Sequence, residues 1–135
     1  MDFIVKIGSI NGLIEPFIKA LVECFFVERE DFTQKMAMRL FISQPMRGKT
    51  DEQILDERNY VISRAKKILG DDVEVIDSFF KDVPTDTSPL WYLGESIKLL
   101  ATADIVYFCD GWDTARGCRI EQMCAADYGI NTMYD

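Results

Sequence analysis

Glu121 is the side chain whose surroundings in the sequence point most directly to chemistry. It stands in the stretch Asp-Ile-Val-Tyr-Phe-Cys-Asp-Gly-Trp-Asp-Thr-Ala-Arg-Gly-Cys-Arg-Ile-Glu-Gln-Met-Cys-Ala-Ala over residues 104–126, which reads as a strand, a short polar loop and a helix. Ile105, Val106, Tyr107 and Phe108 form a continuous β-branched and aromatic run, the composition of a strand covered on both faces. Asp110, Gly111 and Asp113 interrupt it, Gly117 is expected to let the backbone turn tightly, and a helix starts between Arg116 and Arg119. Glu121 then falls in the first or second helical turn, near the carboxyl end of the strand, where open α/β sheets bind ligands. A carboxylate there is a candidate catalyst. The plainer alternative is a helix N-terminal acid favoured by the macrodipole.

A second group of polar residues belongs with it. Ser43-Gln44-Pro45-Met46-Arg47-Gly48 follows a short apolar strand at 39–43 and supplies a hydroxyl, an amide, a guanidinium and the start of a helix. These suit an anion or a sugar hydroxyl. If the two strands are neighbours, the two loops lie side by side. The residues expected to contact a ligand are Ser43, Gln44, Met46, Arg47, Gly48, Asp77, Asp110, Trp112, Arg116 and Gly117. Trp112 either stacks on a planar ring or plugs its loop, and Arg47 either meets the ligand or pairs with a surface acid. Cys109, at a strand end, has no base nearby in sequence and is a poor nucleophile candidate.

What the chain lacks narrows the chemistry. Histidine is absent, which removes Ser-His and Cys-His pairs and most zinc sites. No metal and no cofactor are expected, and any acid, base or nucleophile must be a carboxylate, Tyr, Cys or Lys. A net charge of -8 argues against a nucleic acid polymer or an anionic membrane as partner. Arg47, Arg116 and Arg119 can reverse that field locally for a small anion. No apolar run is long enough for a membrane span. The cysteines at 24, 109, 118 and 124 form no CxxC pair, so reduced, buried thiols in a cytoplasmic protein are expected.

The elements that must position these residues follow from local signals. Thr50 and Gln53 make a capping box, and the helix behind it carries Ile54, Val61, Ala65 and Ile68 before Gly70 stops it. Residues 73–77 read as a strand and 78–87 as a loop. Ser88-Pro89 opens a helix that runs to about Ala101. The strand at 104–109, a helix over about 117–128 ended by Gly129, and a short strand at 131–134 complete the pattern. Strands alternating with helices imply right-handed crossovers and a mainly parallel sheet: a flavodoxin- or Rossmann-like three-layer α/β sandwich.

Residues 1–37 do not fit this repeat. Residues 3–7 suggest a strand, and residues 13–28 an apolar helix with Pro16 in its first turn. Such a segment covers the sheet, meets another chain, or extends upstream from a domain beginning at residue 38. It lacks a small-residue cleavage site and is not read as a signal peptide. A homodimer or higher homo-oligomer is expected on this ground.

The runs from Phe41 to Gly48 and from Gly117 to Glu121, the latter followed by Ala125-Ala126, resemble the nucleoside 2-deoxyribosyltransferase-like superfamily, in particular a small branch found in bacteria and phages. The resemblance spans roughly residues 38–135. It implies that Glu121 is a nucleophile attacking the anomeric carbon of a 2-deoxyribosyl group. It implies that Ser43, Arg47 and Gly48 match the loop that holds phosphate in relatives cleaving nucleoside monophosphates, and that sites are completed across subunits. Breaking an N-glycosidic bond needs only a carboxylate to meet oxocarbenium character, in keeping with a chain that has no histidine.

One position departs from the family pattern. Active relatives carry an Asp about two turns ahead of the second motif's strand, where this chain has Ser96 beside Glu95. The resemblance implies cleavage or transfer at the N-glycosidic bond of a (deoxy)nucleoside or its 5′-monophosphate, and the departure weighs against that activity and leaves room for a pocket without the reaction. The alternative is a non-catalytic protein binding a nucleotide or an ADP-ribose-like ligand, and a third possibility is an interaction module built on the apolar N-terminal segment.

Overall fold

The structure, a computed structural model, describes residues 37–135 together with Pro16, Ile18 and Leu21, which are helical. The expectations for a strand at 3–7 and for the rest of the apolar helix at 13–28 lie outside the described residues. The chain divides into two units, Met1–Met36 and Ala37–Asp135, and the second carries the whole of the described sheet.

That unit alternates strictly: β1 (Arg39–Ser43), α1 (Asp51–Leu69), β2 (Glu74–Val75), α2 (Pro89–Leu100), β3 (Ile105–Phe108), α3 (Arg116–Asp127) and β4 (Asn131–Tyr134). The four strands form one sheet in the order β2-β1-β3-β4, every pair parallel. Strand order reverses between β1 and β3, where Leu40 pairs with Ile105 and Ser43 with Phe108. This is the switch point at which such sheets open a crevice.

Alternate residues of each strand point to opposite faces. Leu40, Ile42, Tyr107 and Cys109 pack with Val61 and Ala65 of α1 on one face. Phe41, Val106 and Phe108 pack with Leu100 of α2 and Ala125 of α3 on the other. The unit Ala37–Asp135 is thus a three-layer α/β sandwich, with β1 and β3 at its centre and buried on both sides.

Local signals explain the helix ends. Thr50 accepts from the Gln53 N–H while the Gln53 side chain accepts from the Thr50 N–H, and Gly70 ends α1 at φ 108°. Ser88 caps α2, with Pro89 in its first turn. Three expectations need correcting. The strand expected at 73–77 is only two residues long: the Ile76 N–H still reaches Leu40 O, but its carbonyl accepts from Arg58. Ile68 is exposed, and the buried stripe of α1 runs through Arg58 instead. Gly117 lies inside α3, whereas the turn that needs a positive φ is at Gly111, φ 80°.

Candidate functional site

Because all four strands are parallel, the segments after β1, β2 and β3 emerge from one edge of the sheet. Ser43 ends β1 there and shares the parity of Phe41, so its side chain faces α3. Its Oγ donates a hydrogen bond to Glu121 Oε2 at 2.5 Å. Glu121 sits in the second turn of α3, whose inner face is Cys118, Glu121 and Ala125, a spacing that stacks them on one side. Ser43 is 1% exposed and Glu121 7%.

Burial pushes the Glu121 carboxyl up to about 7, while the hydrogen bond from Ser43 pulls the other way. A carboxyl balanced between its two forms near neutral pH, at the carboxyl edge of the sheet, is suited to proton transfer or nucleophilic attack. The thiols nearby are not. Burial pushes Cys109 up to about 12 and Cys118 up to about 11, so neither supplies a thiolate. Cys124 is half-buried, and Cys24 lies outside the described residues.

The two loops meet. A Cβ added at Gly111 would lie 3.8 Å from Pro45 Cγ, so the loop after β3 touches the loop after β1. Within the first loop the roles divide. Gln44 turns to the α1 face, where its Nε2 donates to Ile54 O at 2.8 Å and its Oε1 is buried without a partner. Met46 is half-buried, while Arg47 and Gly48 are exposed in a tight turn, Gly48 at φ 79°. Within the second loop Asp110 and Arg116 are exposed. The Trp112 ring packs on Phe108 and Tyr134, with centroids 5.4 Å away in each case, which ties the loop to the end of β4. Asp77 follows β2, on the far side of β1 from Glu121's helix, and is exposed while accepting from the Phe79 N–H. Glu95 is held by Lys98 at 2.8 Å on α2.

Among the described residues no cluster of three or more His, Cys, Asp or Glu could hold a metal, and no helix is long and apolar enough to cross a membrane. A shallow depression bounded by Asp82, Pro84, Asp86, Ser88 and Trp91 shares no lining residue with the Ser43–Glu121 pair.

The family model for a domain of unknown function, DUF4406, matches residues 38–134. The chain belongs to the DUF4406 family. No curated protein and no solved structure matches it. The DUF4406 match begins one residue before β1 and ends with β4, so both loops, Ser43 and Glu121 lie inside it.

Within this DUF4406 domain the structure adds residues that sequence reasoning passed over. Arg58 is 5% exposed and donates through Nη2 to Ile76 O and Ser78 Oγ. Its signal was available, since it falls four residues after Ile54 and three before Val61, on the apolar stripe of α1. Lys49 pairs with Glu57 at 2.6 Å and so ties the first loop to α1. Its partner is eight residues on, a separation that no local motif marks.

Proposed function

We propose that this domain binds a nucleoside or nucleoside 5′-monophosphate at the carboxyl edge of its sheet and cleaves or transfers at the N-glycosidic bond, with Glu121 as nucleophile. The observation that carries this reading is the buried Glu121 carboxyl, hydrogen-bonded by Ser43, at the switch point between β1 and β3. The resemblance of the two motif runs to nucleoside 2-deoxyribosyltransferase-like proteins supplies the substrate class. As the C1′–N bond breaks, its electron pair leaves with the base, which takes a proton from water. A Glu121 oxygen forms an ester bond to C1′ as positive charge develops there. Water then displaces the carboxylate in hydrolysis, and a second base displaces it in transfer. The exposed Arg47–Gly48 turn is the proposed contact for a 5′-phosphate, and a homodimer is the proposed assembly.

A second reading has its own support. Glu95, beside the position where active relatives carry an Asp, is engaged with Lys98. A pocket that binds a nucleotide or an ADP-ribose-like ligand without turnover fits that arrangement.

The test is a panel of deoxynucleosides and their 5′-monophosphates, scored for released base and for a shift in melting temperature. The wild type is expected to release base. Glu121→Gln is nearly isosteric but non-nucleophilic, and should lower kcat at least about a thousandfold with the dissociation constant within about twofold. Turnover retained in Glu121→Gln would remove that residue from the mechanism. Ligand-induced stabilisation with no base released by the wild type would favour the second reading.

A further inference from the structure

We infer that Ser43 is a positioning residue for the Glu121 carboxylate and not a ligand of the substrate phosphate. This rests on the reading of Glu121 as nucleophile and departs from the role that the resemblance implies for the serine of this loop.

A serine hydroxyl carries a single proton to donate, and Ser43 gives it to Glu121 Oε2. An anionic phosphate needs a donor, so the same proton cannot serve both. The direction of the side chain is also set by the sheet. Ser43 pairs with Phe108 in the ladder, and its carbonyl accepts from the Cys109 N–H at 3.0 Å. The pleat therefore turns its Cβ toward α3 rather than out over the loop, and only 1% of the residue is exposed. Arg47 and Gly48 are exposed at the outer end of the same loop, so the loop divides into an inner part serving the carboxylate and an outer part facing solvent.

Among the described residues no charged neighbour competes for the role. Burial pushes the Glu121 carboxyl up and the Ser43 hydrogen bond pulls it down. Cys118, one turn earlier in α3, also meets the Ser43 hydroxyl; burial pushes its thiol up to about 11, so it stays protonated at neutral pH and can give Ser43 a proton without taking the one that goes to Glu121. Lys49, from the β1–α1 loop, is paired with Glu57, and Asp110, from the loop after β3, is exposed. Ser43 is thus the group that holds one carboxylate oxygen in place and favours its charged form, leaving the other oxygen for C1′.

The experiment titrates the carboxyl directly in the full chain, without substrate, by the infrared C=O stretch of protonated Glu121, assigned by its loss in Glu121→Gln. The wild-type midpoint is expected near 7. Ser43→Ala should raise it by about one pH unit, a tenfold gain in proton affinity, because the charged form loses its hydrogen bond. Ser43→Thr, which keeps the hydroxyl, should restore it. If Ser43→Ala does not fold, Ser43→Cys, nearly isosteric and a weak donor, should give the same upward shift. In turnover, Ser43→Ala should lower kcat equally for a nucleoside and its 5′-monophosphate. An unshifted midpoint, or a loss confined to KM for the monophosphate, would overturn the inference. A midpoint shifted in Ser43→Ala, together with a wild type that releases no base, would uphold the contact and bring down the reading of Glu121 as nucleophile instead.

Discussion

Among the described residues each face of the sheet buries one charged side chain close to the carboxyl edge, Arg58 and Glu121, and their surroundings differ. On the α1 face, Arg58 is 5% exposed and spends Nη2 on Ile76 O and Ser78 Oγ, 2.9 and 3.0 Å away. On the opposite face Glu121 is 7% exposed, and its side-chain hydrogen bond among the described residues goes to one hydroxyl. Burial works against both charges: it lowers the guanidinium's pKa, with Asp77 in opposition, and raises that of the carboxyl. The Arg58 contacts lie on either side of Asp77 and hold the segment that a two-residue β2 cannot hold by strand pairing alone. Among the described residues Glu121 makes no contact of that kind: its carboxyl accepts from Ser43 Oγ and so bridges α3 to β1, whereas Arg58, although its Nη1 is buried without a partner, fastens a backbone carbonyl. A buried charge that fastens backbone has a structural reason to be there. One that fastens little costs stability without a structural return, a cost that the proposed role of Glu121 would account for.

The largest expected effect tests that contrast through pH. The Glu121 carboxyl is raised from the ordinary carboxylate value to about 7, so the folded state binds a proton that the unfolded state has released. The associated stability is fully present below about pH 4.5 and is lost as pH rises through 7. Integrated, the difference is about 3 kcal/mol. Glu121→Gln has no such slope. Its melting temperature should match the wild type near pH 4.5 and exceed it at pH 8. Parallel profiles for the two proteins would mean that the carboxylate is solvated, and the comparison would fail.

Arg58 should respond with the opposite sign. Arg58→Ala leaves the Ile76 carbonyl and the Ser78 hydroxyl without their donor and opens a cavity, and it should cost about 2 kcal/mol in urea unfolding. Arg58→Met fills most of the space without the hydrogen bonds, so a similar loss would assign the effect to them. A methionine variant as stable as the wild type would show that the guanidinium is a net cost and that the Asp77 segment is held by other contacts.

The contrast also explains what could be read in advance. The alternation of elements, the Thr50 capping box and the Ser88-Pro89 helix start are local signals. They locate α1 and α2 because capping and backbone restriction act within a few residues. Glu121 was legible from its place after a strand, a loop and a small-residue helix. Its contact with Ser43 was not, since the two are 78 residues apart and only the parallel pairing of β1 with β3 makes Ser43 face α3. Gln44 and Trp112 show the same limit. Residue type suggested ligand contact for Gln44 and left Trp112 between stacking on a ligand and plugging its loop; tertiary packing gives the Gln44 amide to Ile54 and sets the indole against Phe108 and Tyr134. Gly117 was expected at a tight turn, but backbone geometry puts the positive φ six residues earlier, at Gly111. Glycine type alone does not tell which of two loop glycines makes the turn.

The smallest effect concerns the outer end of the first loop, where the comparison between faces becomes one between buried and exposed charge. Arg47 is exposed, and water screens whatever contact it makes. A guanidinium–phosphate hydrogen bond is charge-assisted, but at an exposed site its contribution falls to the low end of the usual range. Arg47→Ala should therefore weaken binding of a nucleoside 5′-monophosphate about tenfold, leave the matching nucleoside within about twofold, and not move the melting temperature of the free protein. The difference between the two ligands should shrink as salt is raised, since an exposed pair is screened over a Debye length. Calorimetric titration of both ligands at two ionic strengths reads all of this. Equal losses for the two ligands would show that Arg47 supports the turn rather than the phosphate. The recognition of a 5′-phosphate would then have to come from backbone N–H groups of this loop other than those of Lys49 and Thr50, which are donated to Met46 O and the Gln53 side chain.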